Sequence, residues 1–364
     1  MRGKFYKSMV LSTLIALSLG VAGCDNVPAP TPVPAGVVPT PTSLASSGGL
    51  TPVTIALSYI ADVQFAPFYL ALNKGYYRDE GLDVTLQNGI VTDLITQLAQ
   101  GTGGVNFATV SGDEIIPARL QGVPVKYVMT WYRQYPVAAA SIEGKGPTLK
   151  SPADLKGHKV GVPGPFGSTY VGLLALLKAG GLAEADIQME SIGFTQVESL
   201  LTDQVEVAMV YAANEPVKLA SQGMTVSTLR VADYAQLASN GLATNDKTLA
   251  ENPELVAKVV RATLRGIQDS IANPAEAFKE SLKQVPEAGG ANEALQMEIL
   301  EESLKLMQSN PNDPTARMPI PYPGWTEEGV WVSTQDLLFD AKLITKKGDV
   351  TEMFTNQFVQ LPPR

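Results

Sequence analysis

The sequence predicts an α/β protein in which two lobes face each other across a ligand cleft and a helical region follows at the C-terminal side. Three observations predict it. From Pro52 onward, short runs of apolar and β-branched residues alternate with segments of helical period, the signature of strand-helix units. That alternation occurs twice. After Thr244 the strand signal fades and helix-period segments dominate. Strands are predicted at residues 53–58, 82–86, 105–109, 123–130, 137–141, 159–162, 187–191, 205–211 and 225–229. Helices are predicted at 68–74, 93–100, 113–121, 168–179, 197–202 and 215–222, then at 253–272, 276–283, 293–308 and 326–343.

Local signals support these elements. Glu80-Gly81-Leu82-Asp83-Val84 reads as a helix exit, a glycine turn and a strand start. Ser151-Pro152-Ala153-Asp154-Leu155 supplies an N-cap with proline at the first helical position. Gly164-Pro165-Phe166-Gly167-Ser168-Thr169-Tyr170 joins a strand to a helix, and Ser111-Gly112-Asp113-Glu114 stands at the corresponding place earlier in the chain. Two such units normally meet across a cleft, with ligand loops at the carboxyl ends of strands. The first lobe is expected from 51–141 together with 233–364, and the second from 142–232.

The N-terminal segment carries different information. Residues 1–23 read as a secretory signal, with Arg2, Lys4 and Lys7 ahead of an apolar run at 9–19. Val21-Ala22-Gly23-Cys24 resembles the lipobox of bacterial lipoproteins, which implies a diacylglycerol-bearing Cys24 anchoring the protein at the extracytoplasmic face of the cell membrane. The apolar run falls short of the roughly 20 residues that span a bilayer. Residues 24–50 then supply the lipidated cysteine and a tether, with Pro28, Pro30, Pro32, Pro34, Pro39 and Pro41 enforcing extended backbone ahead of Ser and Gly.

Composition excludes several chemistries. The chain has 27 Lys+Arg and 36 Asp+Glu; losing three basic residues with the leader leaves 24 against 36, a net charge of −12. Nucleic acid is therefore not an expected partner, since clustered Lys and Arg are needed for phosphate backbones. Cys24 is the one cysteine and His158 the one histidine. A thiol nucleophile, a Cys/His metal site and a Ser-His-Asp triad are poorly supported, and neither metal nor cofactor is expected. His158, at the start of a predicted strand, reads as structural.

Family resemblance rests on a spaced set of blocks. These are Tyr59-Ile60-Ala61-Asp62-Val63-Gln64-Phe65-Ala66-Pro67-Phe68-Tyr69, Lys74-Gly75-Tyr76-Tyr77, Glu80-Gly81-Leu82-Asp83-Val84, Gly103-Gly104-Val105-Asn106-Phe107-Ala108, the segment from Ser151 to Val162, and Val205-Glu206-Val207-Ala208-Met209-Val210. Together they resemble solute-binding proteins of ABC importers, in the branch similar to thiamine-pyrimidine synthases and to nitrate, taurine and alkanesulfonate receptors. The resemblance implies a type II periplasmic-binding-protein fold with two hinge crossovers. It also implies an ABC permease and an ATPase as partners.

Candidate ligand residues follow from polar and aromatic groups at strand ends. Asp62, Gln64 and Phe65 follow the first strand, where binding proteins of this type make contact. Asp113 and Glu114 open a helix of the first lobe, and Phe166, Ser168 and Thr169 open one of the second, where N–H and hydroxyl groups can donate. Trp131, Tyr132 and Gln134 sit where one lobe passes to the other, and Tyr211, Asn214 and Glu215 leave a strand of the second lobe. Rings and carboxylates with few cations point away from an anion and toward a flat nitrogen heterocycle that stacks and donates. Riboflavin ranks first, largely on resemblance to riboflavin-binding lipoproteins, and the aminopyrimidine precursor of thiamine second. A nitrate or sulfonate receptor and a pyrimidine-synthase-like enzyme rank lower; such enzymes depend on histidine and a cysteine-rich segment. The expected mechanism is capture without chemistry, with Trp131 and Tyr211 serving affinity so that truncating either leaves stability nearly unchanged.

Overall fold

The β-branched runs assemble into two mixed five-stranded sheets. In the computed structural model, which describes residues 49–89, 91–101, 104–308 and 323–359, the chain runs β1 (Thr51–Leu57), α1 (Ala66–Asn73), α2 (Tyr76–Asp79), β2 (Leu82–Asn88), α3 (Val91–Gln100), β3 (Val105–Ser111), α4 (Gly112–Leu120) and β4 (Val125–Thr130). It continues through β5 (Val137–Ile142), β6 (Lys159–Val162), α5 (Gly167–Ala179), β7 (Gln188–Ser191), α6 (Gln196–Leu201), β8 (Val207–Tyr211), α7 (Glu215–Ser221) and β9 (Val226–Arg230). After β10 (Asn240–Asn245) come α8 (Asp246–Glu251), α9 (Pro253–Ala272), α10 (Pro274–Ser281), α11 (Glu293–Leu306) and α12 (Glu328–Asp340). The expected signal, Cys24 and nearly all of the tether lie outside the described residues. By internal packing the chain divides at 45/46, and everything below concerns the unit from 46 on. Among the described residues no helix is long and apolar enough to cross a membrane.

The first sheet has the order β2-β1-β3-β10-β4 and the second β7-β6-β8-β5-β9. β1 runs parallel to β2 and β3, whereas β10 is antiparallel to both neighbours. In the second sheet β6 pairs in parallel with β7 and β8, and β5 is antiparallel to β8 and β9. Central strands β5 and β10 are buried at every residue, while edge strand β2 alternates. Helices on both faces of a sheet produce that contrast.

Sequence signals place most element ends within a residue or two. Glu80 caps α2, Gly81 takes φ 77°, and β2 begins at Leu82. Helix α10 starts earlier than its apolar period suggests, because the Asn273 side chain accepts from the Glu276 N–H at 3.2 Å and Pro274 fills the first turn. Two differences are larger. Strand β5 belongs to the second sheet, so the chain has left the first lobe by Val137 instead of by 142; the aromatic segment 131–136 is itself the crossover. Strand β10 carries no β-branched run, and its sequence Asn-Gly-Leu-Ala-Thr-Asn hides it. Gly241 is needed there, since a Cβ would stand 2.1 Å from the Tyr127 ring and 2.2 Å from the Met129 carbonyl oxygen.

Three apolar clusters hold the body. One packs the first sheet against α1, α2 and α9 to α11, a second runs from that sheet's other face into the second lobe, and a third lies under α6 and α7. Helix α12 serves both lobes. Thr334 Oγ1 accepts from the Ala238 N–H at 2.8 Å, and Asp340 pairs with Lys178 of α5 at 2.7 Å.

Candidate functional site

Two crossovers, 131–136 and 231–239, bring the carboxyl ends of both sheets together. They are tied to each other. The Asn240 carbonyl accepts from Trp131 N and Tyr132 N at 2.9 and 3.0 Å, and Ser239 Oγ donates to the Gln134 carbonyl at 3.2 Å. Between the lobes lies a cleft of about 600 Å³, within the range of roughly 300–1,000 Å³ that receives drug-sized ligands. Its walls come from residues after β1, β2, β4, β6, β7 and β8 and from the starts of α4, α5 and β10.

Ten of the fourteen sequence-derived residues line this cleft: Gln64, Phe65, Glu114, Trp131, Phe166, Ser168, Thr169, Tyr211, Asn214 and Glu215. Phe65 and Trp131 form a stacked wall, with ring centroids 5.2 Å apart and planes at 24°. The other four are placed elsewhere. Tyr132 stacks on Trp131 at 4.4 Å and is buried in the core, so it supports that wall without facing the opening. Asp62 caps the turn Val63–Phe65 by accepting from Gln64 N at 3.0 Å. Asp113 accepts from Tyr135 Oη at 3.2 Å and from Ser168 Oγ at 3.3 Å, which ties α4 of the first lobe to α5 of the second. Gln134 donates to the carbonyls of Lys305 and Gln308 at 3.1 Å each and is held on the end of α11.

The structure adds Ser58, Tyr59, Ile60, Asn88, Phe194, Gln196 and Asn240 to the lining. Tyr59 and Phe194 approach across the opening, edge to face at 6.1 Å. Ile60, Phe166 and Phe194 are exposed by 66, 51 and 63% and form an apolar rim to the cleft, the kind of patch that marks ligand-binding grooves. Asn88 ends strand β2 and Phe194 follows β7, so the strand-end rule would have reached them; Asn240 begins the strand that sequence reasoning overlooked.

Electrostatics set the character of the cleft. Glu114 and Glu215 line it, and no Lys, Arg or His does so among the described residues. Burial raises Glu114 to about 7 and Asp113 to about 6, and the Asp113 charge adds to the shift at Glu114; hydrogen bonds from Ser111 oppose both. Glu114 itself completes a capping box, accepting from Ser111 N at 3.0 Å and Ser111 Oγ at 2.7 Å. Burial also raises Asp62 and Glu215, with Lys218 of α7 opposing at each. The one histidine is remote from this chemistry. His158 Nδ1 lies 3.1 Å from Glu206 Oε1 and is not part of the lining.

Two lobes, paired crossovers and a ring-lined cleft at the strand ends define a substrate-binding protein of the periplasmic-binding-protein fold. The periplasmic aliphatic sulphonate binding protein SsuA of Escherichia coli superposes with a TM-score of 0.65 over 86% of this chain and 94% of its own, at 17% identity, a likeness of fold alone. The chain belongs to the NMT1/THI5-like family, which it matches over residues 62–277. The riboflavin-binding protein RibY of Chloroflexus aurantiacus is 42% identical over 355 residues, 97% of this chain and 98% of the relative. A 4-amino-5-hydroxymethyl-2-methylpyrimidine phosphate synthase of Saccharomyces cerevisiae is 25% identical over 65% of this chain and 72% of its own length.

Proposed function

We propose that this protein captures riboflavin outside the cytoplasm and hands it unaltered to the permease of an ABC importer, driven by an ATPase on the inner side. The observation that carries the reading is the pairing of the stacked Phe65 and Trp131 wall with a lining that has carboxylates and no cation. An aromatic wall takes a flat ring, a lining without Lys, Arg or His gives nitrate or sulfonate no counter-charge, and its carboxyls accept from N–H and hydroxyl groups. Likeness to a riboflavin-binding relative along nearly the whole chain supports the choice of ligand. Thr169, at the start of α5, offers a hydroxyl donor from the second lobe, where the Ser168 hydroxyl is already given to Asp113, and Glu215 offers an acceptor on the same side. A ligand touching both walls favours the closed arrangement because only that arrangement satisfies both sets of contacts. Membrane attachment through a lipid on Cys24 belongs to the same reading.

The relation to the pyrimidine phosphate synthase favours one alternative, an aminopyrimidine as the captured ligand. Calorimetric titration of the purified protein with riboflavin and with 4-amino-5-hydroxymethyl-2-methylpyrimidine separates the two. Heat with riboflavin and quenched flavin fluorescence are expected. Heat with the pyrimidine alone moves the assignment to the alternative, and silence with both, or turnover of either, overturns capture of a vitamin.

A further inference from the structure

Three residues that line the cleft each carry a polar atom without a protein partner. Trp131 Nε1 is a donor without an acceptor, and Asn240 Oδ1 and Asn214 Oδ1 are acceptors without donors; all three are shielded from solvent. The side chains are at least nine-tenths buried, being 2, 6 and 7% exposed. Buried polar groups in folded proteins are nearly always satisfied, and orphans call for a reason. Such atoms are few among the described residues, and three of them belong to residues that line one cleft. Neither Trp131 nor Asn240 is loosely held. The Trp131 indole is fixed between Phe65 and Tyr132, and its backbone N–H is bonded to the Asn240 carbonyl at 2.9 Å, so the orphan donor and the first orphan acceptor lie on adjoining backbones. On the other side of Asn240 its amide nitrogen donates to Tyr211 Oη at 3.4 Å, which leaves Oδ1 as the free end.

We infer that Trp131 Nε1 and Asn240 Oδ1 read a cyclic amide edge of the ligand, the indole donating to a ring carbonyl and the asparagine accepting from the adjacent ring N–H. This rests on the proposed capture of a planar heterocycle and specifies which edge of it is recognised. Asn214 Oδ1 offers a further acceptor from the second lobe. The isoalloxazine ring of riboflavin carries such an edge, with an imide N–H between two carbonyls. Specificity then comes from orphan atoms: a ligand that fills the cleft without this edge leaves a buried donor and acceptor unmet.

The test compares riboflavin with riboflavin methylated at the imide nitrogen, titrated into the full-length protein and followed by flavin fluorescence. The wild type should bind the methylated compound about tenfold or more weakly, as a lost buried hydrogen bond with one group stranded requires. Asn240→Ala should bind both compounds alike. Trp131→Phe, which keeps the stacked ring and removes the donor, should weaken riboflavin binding while preserving the preference for the free imide. Equal binding of the two flavins by the wild type overturns the inference and leaves riboflavin capture standing. Binding of neither overturns both.

Discussion

Trp131 joins the site to the core, and replacing it with alanine tests that dual role. The indole is 2% exposed, stacked on Phe65 at 5.2 Å and on Tyr132 at 4.4 Å, and met edge-on by Phe68 at 5.4 Å. Truncating a buried tryptophan costs about 3–5 kcal/mol through lost burial and the cavity left behind. Each ring pair adds about 0.5–1.5 kcal/mol beyond its area, so the three contacts here place Trp131→Ala toward the upper part of that range. Urea unfolding followed by far-UV circular dichroism measures it. With a slope of about 3 kcal/mol/M, the midpoint should fall by roughly 1.3–1.7 M. Phe194→Ala is the control. That ring lines the same cleft but is 63% exposed, and its removal should shift stability by no more than about 0.5 kcal/mol. A Trp131→Ala protein that unfolds within about 1 kcal/mol of the wild type would refute the reasoning, because the ring wall would then be an appendage of the core and not part of it.

Two other expectations concern charge and location. Asp113 and Glu114 have carboxyls raised in the folded state, above all by burial. Their neutral forms cost nothing at low pH, so the stability they permit is present below the ordinary carboxylate range and is lost as pH rises through about 6 and about 7. Urea midpoints should therefore fall between about pH 5 and about pH 8, and Glu114→Gln should flatten the profile; a midpoint that rises over that interval would contradict it. Carboxylates held below their usual range, such as Asp154 and Asp186, titrate at lower pH and leave the interval untouched. Separately, Cys24→Ala should release the full-length protein from sedimenting membranes with riboflavin binding intact; persistence in the pellet would remove the lipid anchor from the proposal.

The sequence made the sheets legible wherever strands are built from β-branched runs, as in β1, β4 and β8, and wherever a helix start or stop has its own chemistry, as at Gly81 and Asn273. It failed at β10 because that strand is selected by tight backbone approach at Gly241, a tertiary demand with no periodic signature. The cleft was legible at strand ends, where position alone brings Phe65, Glu114, Ser168 and Tyr211 together. Side-chain direction was not. Tyr132 and Trp131 are neighbours in sequence, yet Trp131 lines the opening while Tyr132 backs it. The expectation that Trp131 serves affinity with no part in stability is corrected by its burial, since one indole forms both the wall of the cleft and the top of the core. Gln134 and Asp113 carry polar groups suited to a ligand, but neighbouring carbonyls, Tyr135 and Ser168 engage them first.

Placing β10 between β3 and β4 makes the first sheet depend on a long-range pairing. The second sheet draws all its strands from the unbroken stretch 137–230, so it is complete as soon as that stretch is. The first sheet lacks its fourth member until Asn240–Asn245 arrives, more than a hundred residues after β4, and until then β3 and β4 each present an unpaired edge. Closing that gap is a long-range step, slow by the entropy of the intervening loop. Because the Asn240 carbonyl also accepts from the Trp131 and Tyr132 backbone N–H groups, the pairing that completes the first sheet is the same one that fixes the floor of the cleft.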